Sequence, residues 1–452
     1  MIPLPRMRDQ KVRVVGLGPA GRAAAAALAA SGAEVSVWDD DADRRTEQAA
    51  ALGLPTKGPR ASLSGVDAIV LCDGALASAT KQLVPKVRAT GTALLTDFDL
   101  FARALSRDDE DDASTVVGVT GVAGKSTTAS MIAHVARAAG RRVHLADETP
   151  CLALPAPTSG DVYVVALPPG RLAATQRFAC DVAVVLEMGG AKGGLDGTLR
   201  AVTRLTRHQR AGGAAVIAAD DSLGAKVCTA LQGGGAIPPG NEVIPVSSEA
   251  ALGHGVFVLN HQAYAARDGR TQALGDLSRA LAVQAPHLAL DAAATIAAAL
   301  KLGIAAPAIL KALHALEPLP GRFAPIGSVG RVLIVDDSHA RSPLSVARAL
   351  AAAPDMFWIT NTDADDPPSL RKSYRIGPDG LSLEDAFAAA LHDATALAQR
   401  EASAAPVVLF SPGALVDRDA FALIAARHLD AREGTRPSAV SAAGGRTGAS
   451  RG

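Results

Sequence analysis

Two stretches of this chain carry an apolar segment into a glycine turn and then into a helical pattern. One is "KVRVVGLGPAGRAAAAALAASGAEVSVWDDD" (residues 11–41), the other "TVVGVTGVAGKSTT" (115–128). The first reads as strand, glycine turn, alanine-rich helix and second strand, and the second repeats the strand-to-turn step. Further short apolar runs, "DVYVVAL" (161–167), "CDVAVVLEM" (180–188) and "GGAAVIAADD" (212–221), end in Gly, Pro or Asp and suit a buried parallel sheet. "DAIVLCDG" and "GTALLTDFDLF" read as further strands of the first unit, and "RVLIVDDS", "MFWITNT" and "APVVLFSPG" as strands of a last one. The predicted fold class is therefore α/β in three domains. A Rossmann-like domain spans 1–110, a central parallel-sheet domain of P-loop type 111–316, and a second Rossmann-like domain 317–431. The charged run "SRDDEDDAS" (106–114) and the turn "EPLPGRFAPIG" (317–327) mark the joints. The Gly/Ser/Ala/Arg-rich end, 432–452, is expected to be disordered.

A chain of 452 residues is too long for one ordinary domain. With 48% hydrophobic but only 3% aromatic residues, its cores must be built from Ala, Val, Leu and Ile. Lys+Arg and Asp+Glu are equal at 45 each, which argues against a broad nucleic-acid surface. Cys72, Cys151, Cys180 and Cys228 show no zinc or disulfide spacing and read as buried apolar fillers in a reducing compartment. The start "MIPLPRMRDQK" lacks an apolar run, and "AAAAALAA" is too short to cross a bilayer. The expectation is a cytoplasmic protein without membrane or nucleic-acid partners.

Gly16, Gly18 and Gly21 form a Gly-x-Gly-x-x-Gly turn, and Asp39 ends the next strand. Glycine lets backbone approach a diphosphate while the helix N-terminus supplies N–H donors. The turn suits a nucleotide or a nucleotide sugar; a tight turn without a ligand remains the alternative. The second turn is more specific. Amides of Gly121–Lys125 can cradle phosphate oxygens, Lys125 can reach terminal phosphates, and the Ser126 hydroxyl can hold Mg²⁺. Gly121, Gly124, Lys125, Ser126 and Thr127 thus point to ATP or another nucleoside triphosphate, although Val119 stands where a strict Walker pattern has its first glycine. In the third region Arg322 follows a Pro-Gly turn. Asp337 and His339 sit just past the run "RVLIV", at the carboxyl end where α/β sheets place ligands. In isolation each is also an ordinary turn residue. His208, His287 and His314 read as surface or packing residues.

The order of these pieces resembles the Mur ligases: a glycine-turn domain, a GxTGxxGK[ST] domain, then LPxRF and a strand ending DSxA. "TDFDLFARAL", "HLALDAAATIAAALKLGI" and "LFSPGALVDRDAF" resemble three further segments of that family, and the likeness covers roughly residues 11–430. The resemblance implies an ATP- and Mg²⁺-dependent ligase that activates a carboxylate as an acyl phosphate and joins it to an amine. Its implied substrates are UDP-N-acetylmuramoyl-L-alanine and D-glutamate, in peptidoglycan precursor synthesis, and the implied state is a monomer. It further implies hinges near residues 110 and 317.

By the same resemblance Lys125 and Asp337 are catalytic, His339, assigned with them, stands where the family has a lysine, and Arg322 lies near the nucleotide. Gly16, Gly18, Gly21, Asp39, Ser338 and Ser411 hold substrate, and Ser126 is the metal residue. The chain departs from the family where metal is bound. Ala166 stands at its Mg²⁺ glutamate, Lys192 nearest its histidine ligand, Thr206 at its carbamylated lysine, and Leu288 at an asparagine. Glu187, Asp196 and Lys192 are the nearby candidates to replace them. A ligase-like binding protein that keeps the nucleotide cradle without turnover is the second reading. An NAD(P)-dependent enzyme is the third, and it leaves Lys125 unexplained.

Overall fold

The computed structural model describes residues 1–72, 83, 85–87, 89–105, 114–189, 194–233, 237–340, 342–353, 355–362, 365–367, 370–413 and 418–430. The joint near residue 110, Lys192 and the tail 432–452 lie outside them. The chain forms two compact units. Of the described residues, one unit comprises those within Met1–Leu259, Ala263–Leu274 and Leu290–Ala312; the other comprises those within Asn260–Gln262, Gly275–Ala289 and 313–430.

The first unit holds two sheets. β1 (Lys11–Val15), β2 (Glu34–Trp38), β3 (Ala68–Leu71) and β4 (Ala93–Thr96) form a parallel sheet in the order β2-β1-β3-β4. The second sheet, among the described residues, has the order β13-β12-β11-β10-β9-β8-β5-β7-β6. Its central members are β5 (Thr115–Thr120), β7 (Val162–Leu167), β8 (Val182–Val185) and β9 (Ala214–Ala218), all parallel. These four strands are nearly continuous in Val, Ile, Leu and Ala and almost wholly buried, as strands covered on both faces must be. β6 (Val143–Ala146) adds to one edge. β10 (Glu242–Ser247), β11 (Gly255–Leu259), β12 (Gln262–Arg267) and β13 (Arg270–Asp276) extend the other.

The segment "GTALLTDFDLF", expected to be one strand, is a strand only to Thr96; Asp97–Leu105 is a helix. The switch has a local cause. Asp99 Oδ2 accepts from the Thr96 amide at 2.7 Å, and the Asp99 amide donates back to Thr96 Oγ1 at 3.2 Å, a reciprocal helix cap. Phe98, Phe101, Ala102 and Leu105 then recur at helical spacing and are buried.

This helix joins the two sheets of the first unit. Phe101 packs edge-on to Tyr163 of β7 and stacks with Phe178, which Phe98 meets edge-on. Each ring pair adds about 0.5–1.5 kcal/mol beyond the area it buries. Beneath them Arg171 pairs with the buried Asp97 and lies over the Phe98 ring, 4.5 Å from its centroid. Asp99 Oδ1 accepts from the amides of Gln176 and Arg177 at 2.9 and 2.7 Å. Four aromatic rings, Phe98, Phe101, Tyr163 and Phe178, thus pack together where the first two sheets meet.

In the second unit β14 (Ala324–Val329), β15 (Val332–Asp336), β16 (Met356–Thr360), β17 (Leu370–Arg375) and β18 (Val407–Phe410) form a sheet in the order β14-β15-β18-β16-β17. It is parallel except for β14. The molecule is therefore α/β with mostly parallel sheets. All four cysteines are buried and none is in a disulfide. Among the described residues no helix is long and apolar enough to cross a membrane.

Candidate functional site

β5 delivers the chain to the turn 121–124, and the helix Lys125–Ala138 starts on its far side with Gly124 as N-cap. Gly121 has φ +150° and Gly124 φ +80°, conformations that favour glycine. A Cβ on Gly124 would stand 2.4 Å from Asp291 Oδ1, and one on Gly121 would stand 2.8 Å from the Leu186 Cβ. The turn is held from outside as well: the Val122 amide donates to Glu187 O, and the Leu186 amide to Thr120 O, each at 2.8 Å. The helix's first amides, at Lys125, Ser126 and Thr127, lack intrahelical acceptors by position and make this end an anion-binding terminus.

The side chains follow that geometry. Lys125 Nζ curls back over the loop and donates to Gly121 O at 2.8 Å and Val122 O at 3.4 Å. Ser126 Oγ donates to Asp147 Oδ1 at 2.8 Å. Thr127 is buried, and Thr128 Oγ1 donates to Asp291 Oδ1 at 3.0 Å. Asp147 and Asp291 were not singled out from the sequence. Asp147 ends the strand "VHLA" at a carboxyl end, the same placement that marked Asp337.

Of the residues expected to replace the missing metal ligands, Glu187 supports the loop through its main-chain carbonyl, and Asp196 is exposed. Ala166 is a buried residue of β7 in register with Val119. Thr206 is fully buried and spends its hydroxyl on Val202 O. Leu288 is buried. Among the described residues no group of three or more His, Cys, Asp and Glu side chains is placed to hold a metal ion.

The glycine turn of the first sheet is equally specific. Gly16 has φ +92°, Gly18 is the N-cap of the helix Pro19–Ala30, and a Cβ on Gly21 would fall 1.7 Å from Gly16 O. Only glycine lets helix and turn approach this closely. Asp39, almost fully buried, lies under the turn. Its Oδ2 accepts from the Leu17 amide at 2.6 Å and its Oδ1 from the Asp41 amide at 2.9 Å.

In the second unit the "PGRF" turn, the "DDSHA" segment and the "SPG" segment converge. Gly321 has φ +69° and Phe323 φ +50°. The His339 amide donates to Gly321 O at 2.9 Å, and a Cβ on Gly321 would collide with the His339 ring and Ser338 Oγ. Asp337 Oδ1 accepts from the Phe323 amide at 3.1 Å, and its Oδ2 from Ser411 Oγ at 2.8 Å. Arg322 is part of the same turn and half-buried. His287, taken from sequence as a surface or packing residue, stands edge-on to Phe323 at 5.1 Å, and burial lowers its pKa to about 3.

Burial raises the Asp337 pKa from its ordinary 3.8 to about 7, with the Ser411 hydroxyl and the Phe323 amide pulling it partly back. Folding therefore takes up a proton at Asp337 between about pH 4 and 7. In that window the native state binds more protons than the unfolded one, so this group's contribution falls as pH rises and levels off above pH 7. Asp337→Asn should flatten that part of the stability–pH curve, measured by urea denaturation at a series of pH values. An unchanged slope would contradict the buried, protonated carboxyl.

Comparison with known proteins follows the same lines. The chain is 32% identical over 403 residues, 85% of each chain, to the UDP-N-acetylmuramoylalanine–D-glutamate ligase of Phenylobacterium zucineum. It is 32% identical over 395 residues, 83% of each, to the enzyme of that name from Caulobacter vibrioides. It is 29% identical over 443 residues, 91% of this chain and 92% of the relative, to that from Rhizobium etli. Its fold is similar to the crystal structure of UDP-N-acetylmuramate–alanine ligase from Thermotoga maritima. There the TM-score is 0.51 at 16% identity, covering 93% of this chain and all of that one. MurF from Acinetobacter baumannii gives a TM-score of 0.51 at 17% identity, covering 83% and 92%. No protein-family model matches the chain.

Proposed function

Because the chain belongs to the UDP-N-acetylmuramoylalanine–D-glutamate ligase family, we propose that it joins D-glutamate to UDP-N-acetylmuramoyl-L-alanine at the expense of ATP. The observation that carries this reading is the loop 121–124 opening onto a helix that begins Lys-Ser-Thr-Thr, with Gly121 and Gly124 in conformations that favour glycine. The substrate carboxylate attacks the γ-phosphorus, ADP leaves, and an acyl phosphate remains. The amine of glutamate then attacks the acyl carbon, phosphate leaves, and an amide is formed. Two anions must meet in the first step, so fixed positive charge has to be in place beforehand. Loop amides and the helix terminus supply part of it. The Lys125 ammonium moves from the loop carbonyls onto the β- and γ-phosphate oxygens and supplies more. When bound, Mg²⁺ neutralises phosphate charge and raises the electrophilicity of the γ-phosphorus; Ser126 Oγ is the donor we assign to it.

The remaining assignments follow the family order. Gly16, Gly18, Gly21 and Asp39 serve the UDP-sugar, and Gly121, Gly124 and Thr127 shape the phosphate cradle. Arg322 serves the nucleotide, and Asp337, Ser338, His339 and Ser411 serve the incoming amino acid. Residues 1–110, 111–316 and 317–431 are the corresponding domains, in a monomer acting in the cytoplasm. A second reading, a nucleotide-binding relative without turnover, is favoured by Ala166 and Thr206 standing where the family carries metal-site groups. Purified protein incubated with ATP, Mg²⁺, UDP-N-acetylmuramoyl-L-alanine and D-glutamate should release phosphate and gain a product of the ligated mass. Nucleotide binding with neither outcome selects the second reading.

A further inference from the structure

The inference rests on the nucleotide reading above and concerns its metal. Position 166, where the family places an acid, is a buried alanine without a coordinating atom. With no cluster of three metal-ligating side chains among the described residues, an ion here takes few protein ligands. Phosphate oxygens and water must fill the rest, which is how Mg²⁺ is commonly held beside nucleotides.

Two carboxylates meet hydroxyls of the first turn of the phosphate-loop helix, Asp147 at Ser126 and Asp291 at Thr128, and they are placed differently. Asp147 follows β6 directly, and β6, β7 and β5 run parallel, so it lies on the same sheet end as the loop. It is half-buried, and its Oδ1 lies 2.8 Å from Ser126 Oγ. Neighbouring oxygens of a Mg²⁺ octahedron with bonds of about 2.0–2.1 Å lie about 2.9 Å apart. The pair already has the spacing of two adjacent ligands. Other acids near the loop are placed differently. Asp291 is buried at 2% exposure and occupied by Thr128, against the Gly124 side of the loop. Glu187 supports the turn through its main chain. We propose that Asp147, with Ser126 Oγ, is the protein carboxylate that holds the nucleotide's Mg²⁺ in this chain, in place of the acid absent at position 166.

The test uses the full chain and β,γ-imido-ATP, with Mn²⁺ as the paramagnetic probe. In EDTA the analogue should bind wild type and Asp147→Asn alike. Mn²⁺ titrated into the protein–analogue complex and followed by electron paramagnetic resonance should bind Asp147→Asn more weakly by about tenfold or more, at least the loss typical of outer-shell changes. Glu187→Gln should keep the wild-type value. Asp147→Cys should reverse metal preference toward Cd²⁺, because a thiolate is a soft ligand, and a purely structural Asp147 would not produce that reversal. Wild-type Mn²⁺ affinity in Asp147→Asn, loss in Glu187→Gln instead, or no gain of Cd²⁺ in Asp147→Cys overturns the assignment. Failure of wild type to bind the analogue with Mg²⁺ present as well as in EDTA brings down the nucleotide reading itself, and this proposal with it.

Discussion

Lys125→Ala should lower phosphate release and ligation by about a hundred- to a thousandfold, the scale of removing one preorganised charge from a transition state. The reason lies in the loop. The ammonium already sits over the Gly121 and Val122 carbonyls, so reaching the phosphates needs only a change of partner, not an ordering of a free side chain. Its loss should also weaken ATP binding, measured by calorimetry, and leave binding of the UDP-sugar substrate unchanged. Lys125→Arg should recover little, because a guanidinium fork does not replace a compact point charge at a terminal phosphate. Turnover that survives Lys125→Ala would remove the phosphate loop from the mechanism.

Arg171→Ala should destabilise the first unit by about 3–5 kcal/mol, the usual effect of stripping one partner from a buried ion pair. Asp97 is 2% exposed; its carboxylate pairs with Arg171 and lies 3.8 Å from the Cys151 thiol. Removing the guanidinium leaves that charge stranded and takes away the cover over Phe98. The double replacement Asp97→Leu with Arg171→Leu should recover much of the loss, since an apolar pair of similar volume often serves as well. Urea denaturation of the three variants decides it. A wild-type midpoint for Arg171→Ala would mean that Asp97 is compensated in some other way.

How far the sequence discloses this architecture follows from burial. β7, β8, β9 and β18 are covered on both faces, so their residues are apolar without interruption and stand out as runs, while β1 carries a buried Arg13 within its apolar pattern. β17 reads "LRKSYR" and is mostly exposed or half-buried; β13 is more exposed still. Nothing in such segments distinguishes an edge strand from a loop. The helix after Thr96 was hidden because "FDLF" alternates well enough for a strand until the cap from Asp99 is known. The phosphate loop was visible because its glycines, lysine and serine fall within six residues, 121–126. Asp147 and Asp291 reach the same loop through tertiary folding, from 21 and 163 residues beyond Ser126 and Thr128. No local pattern announces them. Asp337, Ser411 and the 321–323 turn were grouped by motif order; that their hydrogen bonds converge on one carboxyl comes from the sheet.

The 163-residue reach between Thr128 and Asp291 also sets a timetable. Asp291 lies where a Cβ on residue 124 would stand and accepts from Thr128, so this part of the turn's surroundings is incomplete until that later helix has been made. At a synthesis rate of about 5–20 residues per second, the nascent strand and its turn wait roughly 8–33 seconds on the ribosome for that carboxylate. That contact can thus form only after about two thirds of the chain exists, well after the loop's own residues have been made.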